Sequence, residues 1–83
     1  MNADMQRISR LCAEGRARCA QRIVTREDQE RLIEEKHYQL RRGVTIMLGL
    51  DYAARERWLT EYTSLTRLID ENQILLEQQS TAA

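Results

Sequence analysis

The sequence predicts an all-α protein: an antiparallel helical hairpin with an additional N-terminal helix, a three-helix arrangement also suited to dimerisation. Three observations lead there. The 83 residues contain no proline, the strongest breaker of helix interiors. Leu, Ala, Glu, Gln and Arg, all strong helix formers, dominate the chain. Apolar residues recur at three- and four-residue steps, with the clearest interruption at Gly49-Leu50-Asp51. The length sets a single helical domain over 1–83. A core of that size contributes roughly 3–5 kcal/mol, so a second chain is expected to add stability.

The first helix is expected over about residues 2–22. Met5, Ile8, Cys12, Gly15, Cys19 and Ile23 share one stripe of it. These side chains are small, and the narrow stripe suits close approach to another helix. The second helix is expected over about 26–48. Thr25 followed by Asp28 resembles a capping box with Asp for the usual Glu, and Glu27, Asp28 and Glu30 complement the helix N-terminus. The heptad phase runs on through Arg26 and Glu30, so one continuous helix is the alternative; the cap chemistry favours a break. Its seam reads Ile33, His37, Leu40, Val44 and Met47, spaced 4-3-4-3.

At the turn, Gly49 suits the left-handed position that ends a helix, and Asp51 suits the cap of the next. The third helix is expected over about 52–79, with Trp58, Leu59, Tyr62, Leu65, Leu68, Ile69, Leu75 and Leu76 on its apolar face. So short a turn makes the second and third helices antiparallel neighbours. Counting outward pairs Val44 with Trp58, Leu40 with Tyr62, His37 with Leu65 and Ile33 with Ile69, and sets Gln29 opposite Asn72. Asn72 either fixes register as a polar seam residue or lies wet at the open end of the hairpin.

Charge is uneven although the net is zero. Met1 to Val24 holds five arginines against two carboxylates, a net +3; Gly49 to Ala83 holds three arginines against six, a net −3. Such opposite ends attract within one bundle or between chains. Cys12 and Cys19 stand seven apart, about 10.5 Å along a helix. A disulfide needs Cα atoms within about 7 Å, so both are expected to be reduced thiols of a cytoplasmic protein. The start lacks a basic and an apolar signal region, and no apolar run approaches the roughly 20 residues of a membrane helix.

Chemistry-bearing patterns are scarce. His37 is the single histidine and falls on an apolar stripe without a Cys, Asp or Glu at ligand spacing, which reads as a core residue rather than a metal ligand or general base. Glu27, Glu30, Glu34 and Glu35 alternate with Arg31 and Lys36, the pattern of a solvated face with pairs such as Glu27–Arg31. Phosphate loops, nucleophile elbows and CxxC pairs are missing from the sequence. No enzyme activity, cofactor or metal is expected. The five N-terminal arginines with Arg41 and Arg42 raise nucleic-acid binding as an alternative, but neutral net charge and arginines spread around the helix argue against it.

Protein binding fits better. Leu32, Ile46, Leu48, Leu50, Trp58, Leu59, Tyr62 and Leu68 exceed or edge the hairpin seam and are the candidate partner-binding residues, for a helical partner or a second copy. The expected role is a non-enzymatic, chaperone- or adaptor-like module, with a small phage- or plasmid-type inhibitor of a host protein as the other binding reading.

From Leu40 to Leu76, a basic-ended helix, the Gly-Leu-Asp-Tyr turn and a long amphipathic helix with Leu59, Leu65 and Ile69 resemble a known family. It is that of the small helical co-chaperones of type III secretion systems, which hold the needle subunit soluble in the cytoplasm together with a tetratricopeptide-like partner. The resemblance implies a heterodimeric chaperone role without catalysis.

Overall fold

The computed structural model describes residues 3–49 and 51–81, with side chains for 5–43 and 51–79. Helix α1 covers Ala3–Ala20, α2 Arg26–Gly49 and α3 Tyr52–Thr81. The longest, α3, has 30 residues, about 45 Å at 1.5 Å per residue, and spans most of a body measuring 48 × 20 × 16 Å. Both other helices pack on α3 and meet each other only sparsely. Met5 clusters with Trp58, Gly15 faces Leu68 and Arg22 reaches Gln78, so α1 runs parallel to α3. Arg7–Glu35 and Arg18–Asp28 contacts set α2 antiparallel to α1.

The break between α1 and α2 is real and built at both sides. Arg22 N–H bonds Cys19 O at 3.1 Å and Ile23 N–H bonds Arg18 O at 3.0 Å, the crossed pair of a Schellman ending. Its left-handed position is filled by Arg22 at φ 59°, where a side chain costs roughly 1–2 kcal/mol that glycine would not. Thr25 and Asp28 then form the reciprocal cap: Asp28 N–H donates to Thr25 Oγ1 at 3.2 Å and Thr25 N–H to Asp28 Oδ2 at 3.1 Å. At the second junction Asp51 caps α3, accepting from Ala54 N–H at 2.8 Å. Gly49 behaves otherwise than expected: α2 runs through it, and no glycine among the described residues has a positive φ.

The main core joins Ile8 and Cys12 of α1, Leu32 of α2, and Leu65, Leu68 and Ile69 of α3, with Leu11, Cys19 and Ile33 packed against it. Met5, Trp58 and Tyr62 form a second cluster towards the hairpin end, the two rings stacked 5.3 Å apart. The expected stripe of α1 is largely the buried one. At Gly15 the helices approach so closely that a Cβ would run into the Leu68 Cδ2 methyl. Ile23 departs from the stripe and is half-exposed, while Val24 is buried, because the chain has already left the helix at Arg22.

The seam of α2 requires a correction. His37 and Leu40, placed in the core from sequence, are exposed; Gln29, Leu32, Glu35 and Gln39 are buried instead. The lengthwise match with α3 remains close to expectation, with Gln29 bonded to Ile69 O and Gly43 against the Trp58 indole. What differs is rotation: α2 is turned by about one residue, roughly 100°. Asn72 is 1% exposed, which removes the reading of a wet residue at an open end.

Candidate protein-binding site

The rotation of α2 has a chemical cause. A buried indole needs an acceptor for its N–H, and Trp58 Nε1 donates to Gln39 Oε1 at 3.0 Å. The Gln39 amide in turn donates to Glu35 Oε1 at 2.9 Å. Arg7 completes the chain, its Nε–H shared between Glu35 Oε1 and Oε2 at 3.0 and 3.1 Å. One polar chain, Arg7–Glu35–Gln39–Trp58, thus links all three helices across the second cluster. Turning α2 back onto Ile33 and Leu40 would leave the buried Trp58 N–H without an acceptor, at about 1–3 kcal/mol. Gly43 leaves room for the indole, whose Cη2 would lie 3.7 Å from an added Cβ.

The seam is less well satisfied further along. Gln29 Nε2 donates to Ile69 O at 2.9 Å and approaches Gln73 Oε1 at 3.5 Å. Gln29 Oε1 and Asn72 Oδ1 are buried without a hydrogen-bond partner. These sit where the sequence places Gln29 opposite Asn72.

The same rotation turns apolar side chains out. Ile33, His37 and Leu40 follow one another at helical spacing on the flank of α2 opposite Glu35 and Tyr38, which face α1. Ile33 is half-buried and Leu40 is 53% exposed. On α3, Tyr52, Leu59 and Ile74 are exposed at 75%, 41% and 55%. Of the residues expected to bind a partner, Leu32, Trp58 and Leu68 are buried in the core of the single chain and Tyr62 packs against it. They cannot form a free surface while their polar and apolar partners hold them. Leu59 is exposed. The side chains of Ile46 and Leu48, and Leu50 altogether, lie outside the described residues. Tyr52, which the sequence places at the edge of an apolar patch, is exposed, as are Ile74 and Leu40, the latter a seam residue by its heptad phase.

Between α1 and α2 lies an open groove of about 560 Å³, walled by Arg7, Arg10 and Leu11 on one side and Arg31, Tyr38 and Arg41 on the other, with Glu34 and Glu35 also lining it. The Arg7 guanidinium stacks 4.5 Å from the Tyr38 ring centroid, with Arg42 at 5.6 Å. Arg7 and Arg10 of α1 thus share one face with Arg31 and Arg41 of α2, while Arg22 reaches Gln78 of α3. At its far end Arg18 Nη1 bonds Asp28 Oδ2 at 2.9 Å, and Arg31 stands 4.0 Å from Asp28 rather than pairing with Glu27. Burial pushes the Asp28 carboxyl up, but the Thr25 bonds and the Arg18 charge outweigh it and hold the pKa below the usual value.

Among the described residues no group of three or more His, Cys, Asp or Glu is placed to hold a metal ion, and no helix is long and apolar enough to cross a membrane. Burial, followed by the Glu61 charge, pushes the Cys12 thiol up. Its Sγ lies 4.0 Å from Glu61 O, an environment that suppresses the thiolate. What the geometry offers is surface: an apolar flank on α2, the exposed Tyr52, Leu59 and Ile74 of α3, and an arginine groove. Compared with protein-family models, curated proteins and solved structures, the chain matches none at a significant level.

Proposed function

We propose that this chain is a non-enzymatic protein-binding module, adaptor- or chaperone-like, that engages a helical partner along the outward flank of α2. The observation that carries the reading is the inversion of α2: polar Gln29, Glu35 and Gln39 are buried while Leu40 is exposed beside half-buried Ile33. Apolar positions at helical spacing outside the core are what a partner helix packs against. The co-chaperone resemblance is the narrower form of the same reading, with a tetratricopeptide-like chaperone as the partner.

Leu40→Asp tests it, because an exposed leucine contributes little to the fold. The variant is expected to keep the helical circular dichroism of the parent. It is expected to lose the stoichiometric protein that the tagged parent retains when produced in its own host. A parent that retains no protein, or a variant that retains the same one at the same stoichiometry, contradicts the proposal.

A further inference from the structure

The outer face of α3 and the groove between α1 and α2 carry mainly opposite charges. Tyr52, Glu56, Leu59, Asp70, Ile74 and Glu77 are all exposed and recur at steps of 4, 3, 11, 4 and 3 residues, one straight stripe on a helix. Thr63 and Thr66 fill the interval, and the Thr66 hydroxyl is turned back onto Tyr62 O at 3.1 Å. The stripe holds three carboxylates and three large apolar side chains, with the Arg67 guanidinium at its edge beside Thr63 and Asp70. The groove holds four guanidiniums, from Arg7, Arg10, Arg31 and Arg41, against the carboxylates of Glu34 and Glu35. Glu35 is already engaged by Arg7 and Gln39, while Arg10, Arg31 and Arg41 are exposed along the walls. Leu11 lines the groove as its apolar contact, and sparse contact between α1 and α2 leaves the space open.

We propose that a second copy of this chain occupies the groove, seating the outer stripe of its α3 between α1 and α2 with Ile74 or Leu59 as the apolar anchor. A protein helix is favoured over nucleic acid because Leu11 lines the groove and the stripe brings Tyr52, Leu59 and Ile74 to it, apolar side chains that a phosphodiester backbone lacks. The two surfaces lie on opposite sides of the molecule, since α3 covers the other face of α1 and α2. The contact is therefore head-to-tail, and each added copy exposes a fresh groove and a fresh stripe, so growth does not stop at two. This contact is independent of the α2 flank. It is chiefly electrostatic, and salt separates it from an apolar association.

Light scattering on the full chain tests it with two variants built on exposed residues. Arg10→Glu with Arg41→Glu spoils the groove; Glu56→Gln with Asp70→Asn spoils the stripe. The parent is expected to rise above the 9.8 kDa of one chain as concentration increases, and to return to it in about 0.5 M salt, where charges are screened beyond a few ångströms. Each variant alone is expected to stay at the mass of one chain with unchanged helical circular dichroism. Their equimolar mixture is expected to stop at twice that mass, because one native groove meets one native stripe. A parent that keeps the mass of one chain up to millimolar concentration overturns the proposal. So does association that survives both double substitutions, or that Leu40→Asp removes while salt does not. A short DNA or RNA duplex retarded by the parent but not by the groove variant, without self-association, assigns the groove to nucleic acid instead.

Discussion

Helix α3 is packed on two sides by seams of opposite character. Towards α1 the contact is apolar and close, with Ile8, Cys12 and Gly15 set against Leu65 and Leu68. Towards α2 it is largely polar: Gln39 bonds Trp58 and Gln29 bonds the Ile69 carbonyl, and Asn72 is buried one turn further along α3. The first seam draws on area removed from water and the fit of small residues. In the second, directional bonds choose which face of α2 turns inward, at the cost of two buried oxygens without partners. Specificity of rotation and strength of attachment are thus assigned to different neighbours of the same helix.

Substitutions separate the two. Leu65, fully buried in the main core, should matter most: Leu65→Ala is expected to cost about 2–5 kcal/mol, enough to unfold a domain this small, as read from its thermal transition. Gly15→Ala attacks the apolar seam alone. The added methyl meets Leu68, and a cost of about 1–3 kcal/mol is expected from overpacking, with α1 amides exchanging faster than those of α2.

In the polar seam the expected sign reverses at one position. Asn72→Leu removes a buried oxygen without a partner and keeps the branched shape, the gain exceeding the strain of its larger methyls, so it should raise the unfolding free energy by about 1 kcal/mol in denaturant titrations. A loss of stability there would mean that Asn72 is satisfied and holds the register. The smallest change lies outside both seams. Arg22→Gly relieves the left-handed residue while giving up the exposed Arg22–Gln78 bond, and should stabilise by up to about 1 kcal/mol.

How well each seam could be read from the sequence follows from its chemistry. The α1 stripe was legible because Ile8, Cys12 and Gly15 obey the 3.6-residue period and have no polar competitor on that face. The Thr25–Asp28 cap and the Asp51 cap were legible because capping depends on residues three apart in the chain. The rotation of α2 was not. Periodicity counts Gln39 and Glu35 as surface residues, whereas a buried indole on α3 and an arginine on α1 recruit them inward. The signal was present as Trp58, which needs an acceptor, and Gln39 is the side chain of α2 that meets it. The Schellman ending was hidden for a different reason, because its left-handed position carries an arginine where glycine is the usual mark. Of the exposed apolar side chains, Leu59 is the one that the sequence pattern places outside the seam. The arginine groove needed two helices, distant in sequence, to be laid side by side before it existed.

The inward turn of Gln39 is the point on which the rest depends, and the one tryptophan of the chain reports on it without any substitution. Nuclear Overhauser contacts from its indole protons, recorded in dilute solution, measure which face of α2 meets α3. The bond between Trp58 Nε1 and Gln39 Oε1 predicts strong contacts from the N–H to the Gln39 side chain, and from the ring Hη2 and Hζ2 protons to Gly43, with none to the methyls of Leu40. Strong contacts to Leu40, with the Gln39 amide exchanging as freely as in an unfolded chain, would put the apolar stripe of α2 back in the core and contradict the account.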